Sequence, residues 1–147
     1  MKKEFVPNEQ ALELKELGFD EQCLGYYDTE GLKISSDWYL NPQNKNSLFP
    51  EPHTTNNPKI SAPLYQQAFR WFREKHDMQT LIKKNKSDHV WYRYEVYFER
   101  LATGENPPVM VGHTINSWLG LNLEFNTYEE AEEACLDKLI LMTKTKN

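Results

Sequence analysis

Residues Val90 to Glu99 read VWYRYEVYFE, a run without Gly or Pro in which Val90, Tyr92, Tyr94, Val96 and Phe98 alternate with Trp91, Arg93, Glu95, Tyr97 and Glu99. Successive side chains of an extended chain point to opposite faces, so this period of two predicts a half-buried strand. Its second face is unusually decorated. Large amphipathic side chains that meet water at a sheet surface would look the same, so decoration alone is not a site.

A strand of this kind asks for partners, and the neighbouring sequence offers them. MQTLI, Met78 to Ile82, reads as a short strand, KKNKSD as a basic turn into Val90, and ATGENPPV as the turn that follows. VMVGHTINSWLGLNLEF then supplies one or two further strands, with Leu119, Leu121, Leu123 and Phe125 on one side and Trp118, Asn122 and Glu124 on the other. Nearer the N-terminus, CLGYYDTEGLKISSDWYL reads as a β-hairpin about the turn DTEG. Strands and helices do not alternate often enough to require a parallel, doubly wound sheet. The expectation is an α+β fold with a small antiparallel sheet of four to five strands.

Three helices are predicted around it. The first runs from Asn8 to about Leu17, and Gly18 can take the left-handed conformation that ends it and folds Phe19 back on Leu14. The second lies in APLYQQAFRWFREKH, with Ser61 as N-cap and Pro63 in the first turn. Wound at 3.6 residues per turn, Leu64, Tyr65, Ala68, Phe69, Trp71 and Phe72 fall within an arc of roughly 160°, while Gln66, Arg70 and Arg73 lie opposite. Trp71 sits at the rim of that arc. The third helix opens on a capping box, Thr127 and Glu130, with Glu129, Glu130, Glu132 and Glu133 at its positive end and Tyr128, Ala131, Cys135, Leu139 and Met142 as its buried stripe. The second and third are the main helices on the sheet, and the first is an addition at one edge.

The 147 residues suffice for one domain with a real core, and 13% aromatic content is too high for a disordered chain. One domain over residues 1–147 is expected, interrupted by a long irregular loop at about 41–60, where NPQNKNSLFPEPHTTNNPK holds four prolines and five asparagines. No run approaches the roughly 20 apolar residues of a membrane span, and MKKEFVPNEQ has no apolar signal core. A cytoplasmic setting is expected.

Residue patterns that carry chemistry are few. Cys23 and Cys135 form no CxxC, and Cys135 lies on a core stripe. Cys23 could meet His113 or His89 only by an approach the sequence gives no reason for. His53, His76, His89 and His113 lack metal-ligand spacing, and none of the six glycines sits in a phosphate-binding motif. No catalytic residue, metal site or cofactor is expected.

Charge is unevenly spread about the net −5. Residues 1–58 carry 5 basic and 10 acidic groups, residues 59–100 carry 9 and 5, and residues 101–147 carry 3 and 7. The locally basic middle holds Arg70, Trp71, Arg73, Trp91, Arg93 and Tyr97, the residue types that dominate interface energetics, and these are the candidate binding residues. Single-stranded nucleic acid, bound on aromatic platforms with cationic borders, would use Trp91, Arg93 and Tyr97 with Lys83, Lys84 and Lys86. The net acidic charge disfavours it.

Three segments, KEFVPNEQALELKELGFDEQCLGYYD, APLYQQAFRWFREKH and FNTYEEAEEACLDKLI, resemble a family of small uncharacterised proteins encoded by bacteriophages and prophages of gut bacteria. The resemblance implies a phage origin and a host-cell setting, and it brings no activity or site residues. Between about Gln79 and Leu123 the chain departs from the pattern, which makes the middle segment the place where such a scaffold would acquire its target. The functional expectation is an accessory protein acting by non-enzymatic binding to a host or phage protein. The alternatives are a single-stranded nucleic-acid binder, and a small-molecule binder or enzyme whose site the fold assembles.

Overall fold

Gly18 stands at φ 94°, where a Cβ would crowd the following carbonyl. From there the Gly18 N–H donates to Lys15 O at 3.1 Å and the Phe19 N–H to Leu14 O at 2.9 Å. These two bonds are a Schellman motif. They close helix α1 (Asn8–Glu16) and fold Phe19, 2% exposed, back toward Leu14, 0% exposed. The stop is the one the sequence predicts, and the helix buries Gln10, Ala11 and Leu14, with Leu12 turned outward.

The computed structural model describes residues 2–39, 59–86, 90–99, 110–113 and 124–146. They form an α+β protein whose chain divides into two compact units, Met1–Ala68 and Phe69–Asn147. Each unit holds one three-stranded antiparallel sheet. The sequence led to one sheet of four or five strands; alternation shows that a segment is extended but not which segments share a ladder. The loop expected at about 41–60 lies outside the described residues except for its last two positions, and Ile60 begins a strand. Among the described residues no helix is long and apolar enough to cross a membrane.

In the first unit, β1 (Cys23–Asp28) is the central strand, between β2 (Gly31–Tyr39) and β3 (Ile60–Ala62). The β1–β2 hairpin turns between Asp28 and Gly31, where the Asp28 carboxylate accepts the Glu30 N–H at 2.8 Å. Phe5 explains a glycine in mid-strand: a Cβ on Gly25 would meet Phe5 Cε1 at 2.9 Å and Lys33 O at 3.2 Å. Helix α1 lies against β3, and the Tyr27 hydroxyl donates to Val6 O at 2.8 Å. Phe5, Val6, Leu14, Phe19 and Cys23 are all buried here.

Ser61 belongs to β3 and is not a helix cap. Helix α2 (Tyr65–His76) begins four residues later, and Gln67 caps it from its third position by accepting the Leu64 N–H at 3.1 Å. Pro63 therefore precedes the helix. Three residues are too few for a readable strand pattern, and the Ser–Ala–Pro that suits a cap also suits the end of a strand. Helix α2 runs across the division between the units, which falls between Ala68 and Phe69.

In the second unit β5 (Val90–Glu99) is central, flanked by β4 (Met78–Lys86) and β6 (Met110–His113). The ladder from Met78↔Phe98 to Lys86↔Val90 is unbroken. The expected basic turn is therefore strand through Lys86, because pairing with a long β5 overrides the weak strand preference of lysine. Residues 87–89, and the expected Trp118, Leu119, Leu121, Asn122 and Leu123, lie outside the described residues. Phe125 makes an antiparallel bridge to Tyr92.

Helix α3 (Tyr128–Lys146) covers β4 and β5. Thr127 Oγ1 accepts the Glu130 N–H at 3.1 Å while the Glu130 carboxylate accepts the N–H groups of Asn126 at 3.0 Å and Thr127 at 3.4 Å. The capping box is as the sequence predicts. The buried stripe is broader than expected, with Ala131, Cys135, Leu136, Leu139, Ile140 and Thr143 inside, whereas Tyr128 is 46% exposed. Beneath it lie Met78, Tyr94 and Val96, also buried, each large apolar side chain contributing about 1.5–3 kcal/mol of burial.

Candidate functional site

The face of the second sheet turned away from Tyr94 and Val96 carries the odd-numbered residues of β4 and β5. The register places Gln79 opposite Tyr97, Leu81 opposite Glu95, Lys83 opposite Arg93 and Asn85 opposite Trp91. Two cations directly across a ladder repel each other. Glu95 relieves this, because it is diagonal to Lys83 and two residues on from Arg93 along β5. Lys83 Nζ lies 2.7 Å from Glu95 Oε2, Arg93 Nη2 lies 3.5 Å from Glu95 Oε1, and the Tyr97 hydroxyl donates to the same carboxylate.

Glu95 is only 5% exposed, and a carboxylate taken from water costs several kcal/mol unless its oxygens are paired. Burial pushes its pKa up. The hydrogen bonds from Lys83 and Tyr97 and the charges of Lys83 and Arg93 more than offset this and hold it below the usual carboxylate range. The bond to Glu95 raises the Tyr97 phenol in turn, and the same carboxylate raises Lys83. The group is a charged, hydrogen-bonded hub at the centre of the face.

Around the hub the surface is open and mixed in character. Arg93 is 45% exposed and lies over the Trp91 ring, 6.0 Å from its centroid. Lys83 is 41% exposed and Leu81 44%. Trp91 and Tyr97 are half-buried. Lys84 falls on the opposite face beside the Tyr92 ring. The three lysines of KKNK do not share one face, since strand alternation separates Lys83 from Lys84 and Lys86.

Of the six candidate residues, the structure brings together Trp91, Arg93 and Tyr97. Arg70 and Arg73 are exposed on helix α2 and take no part in the Glu95 cluster. Trp71 is not at a rim: it is 3% exposed, edge-on to Phe72 at 5.0 Å and to His76 at 4.7 Å. An arc drawn from one helix leaves out whatever covers its border. The residues that sequence reasoning passed over are Leu81, assigned to a short strand with no role, and Glu95, seen only as one more polar member of the face. A carboxylate with a cation at i−2 and a phenol at i+2 on the same strand face was the available signal.

The two thiols lie elsewhere. Burial pushes Cys23 up to about 12, with Glu21 adding to the effect, and burial pushes Cys135 up to about 12, with Glu132 adding. Neither is poised as a nucleophile. Among the described residues no three His, Cys, Asp or Glu side chains converge as metal ligands. Comparison with protein-family models, curated proteins and solved structures finds no match.

Proposed function

We propose that this chain is an accessory protein, of phage or prophage type, that acts without catalysis by binding a host or phage protein through the exposed face of β4 and β5. The observation that supports this reading is the joining of Trp91, Arg93 and Tyr97 on one sheet face, with exposed Leu81 beside them. Aromatic and arginine side chains supply most of the binding energy at protein interfaces. The Glu95 carboxylate also holds Tyr97, and the Trp91 ring limits the orientations of Arg93, before any partner arrives, which lowers the ordering cost of association.

Single-stranded nucleic acid is the weaker alternative on this face. Its repeated phosphates need several cations to neutralise them, and here a buried carboxylate offsets one of the two charges of Lys83 and Arg93. A protein surface, which need present only one anion, tolerates such a half-neutralised cluster.

The test is affinity capture of the tagged protein from a bacterial lysate, run in parallel with nuclease, using the native chain and Trp91→Ala. A stoichiometric protein that survives nuclease and disappears with Trp91→Ala is the expected result, with circular dichroism establishing that the variant is folded. Recovery that depends on nucleic acid would move the alternative ahead.

A further inference from the structure

The docking reading above leaves open what the partner presents, and the contacts of Arg93 bear on that question. We infer that the β4–β5 face receives a protein segment carrying an Asp or Glu carboxylate beside an apolar side chain, the carboxylate on Arg93 and the apolar group on Leu81 and Trp91. This inference rests on the docking reading.

Charge and donor supply point to a carboxylate. Lys83 and Arg93 share one carboxylate, so the cluster keeps a net positive charge, and the two cations share it unequally. Lys83 makes the short contact at 2.7 Å; Arg93 Nη2 reaches Glu95 at 3.5 Å, the outer limit of a hydrogen bond. A guanidinium has five N–H donors in a planar fork that matches a carboxylate two by two. Most of that fork is uncommitted among the described contacts, it is 45% exposed, and the Trp91 ring beneath it limits its orientations. A lysine at this position would offer a point charge and no fork.

Glu95 also sets the scale of the attraction. It lies within contact of both cations and offsets one of them, so an incoming anion meets a single net positive charge, which one carboxylate matches. Leu81, exposed at 44% directly across from Glu95, adds apolar surface that a free anion would leave bare. Both features favour an acidic side chain set in an apolar protein segment.

The experiment uses the full chain and synthetic dodecapeptides with a central Asp or Glu flanked by randomised Leu, Phe and Trp. Fluorescence anisotropy compares them with the same peptides carrying Asn or Gln. The acidic peptides are expected to bind about tenfold tighter, the worth of a charged hydrogen-bonded contact. Arg93→Ala should abolish that preference, Arg93→Lys should recover only part of it, and Arg70→Ala, on helix α2, should leave it unchanged. Equal binding of amide and acidic peptides overturns the inference, as does full binding by Arg93→Ala or tighter binding of oligothymidine. Sedimentation of the chain alone addresses the remaining occupant: self-association lost in Arg93→Ala would make a second copy the ligand and overturn it too. If a Trp91-dependent protein is captured from lysate yet no acidic preference appears, the inference fails and the docking reading stands. If no protein is captured and no peptide binds, both fail.

Discussion

Glu95 is the residue on which the second sheet's open face is organised, and its ionisation has a stability consequence of definite sign. Its folded pKa lies below the unfolded carboxylate value of about 4.3. A group shifted in that direction contributes stability that is complete above the unfolded pKa and drains away as pH falls through the folded one. Glu95→Gln imitates the protonated acid. At pH 7 it is expected to cost about 1 kcal/mol, a modest figure because both cations are partly exposed and screened by water. As pH falls through the folded pKa the penalty should shrink until the two proteins unfold at the same urea concentration. A penalty that stays the same size across an acid titration would mean that Glu95 acts through its shape and hydrogen bonds and that its charge adds nothing.

At the scale of elements, the helix ends tie sequence to structure most directly. Thr127 and Glu130 satisfy three N–H groups at the start of α3, so Thr127→Ala should destabilise the protein by about 1 kcal/mol, while Thr127→Ser should be nearly neutral. Urea unfolding followed by circular dichroism checks both, and an unchanged midpoint for Thr127→Ala would show the cap to be dispensable. This cap, the Gly18 stop and the β1–β2 turn were legible because each depends on residues within a few positions of one another. Sheet membership was not, since pairing joins distant segments and Ile60–Ala62 is too short to show a period. The same contrast divides the candidate site. Trp91, Arg93 and Tyr97 share a face by strand alternation alone, and sequence finds them. Lys83 and Leu81 join them only through the β4 register, and the burial of Trp71, 3% exposed, does not follow from its place on the helical arc.

For the molecule as a whole, the two cysteines are built-in reporters, one in each compact unit. Both are 0% exposed, with thiols pushed up to about 12, so at pH 8 roughly one in 10⁴ is ionised, against a substantial fraction of unfolded thiols at about 8.5. Reaction with an aromatic disulfide reagent must therefore wait for opening, and its rate in the native protein should fall at least a hundredfold below that in urea. Helix α2 belongs to both units, Tyr65–Ala68 to the first and Phe69–His76 to the second. Neither piece reaches the roughly 12 residues at which an isolated helix becomes even marginal in water. Loss of either unit should therefore melt the piece of the helix that belongs to the other. Cys23 and Cys135, identified by mass spectrometry of the labelled chain, are expected to become reactive at one common urea midpoint. Two separated midpoints would show that the units open independently, and fast labelling of either thiol without denaturant would restore it as a candidate nucleophile.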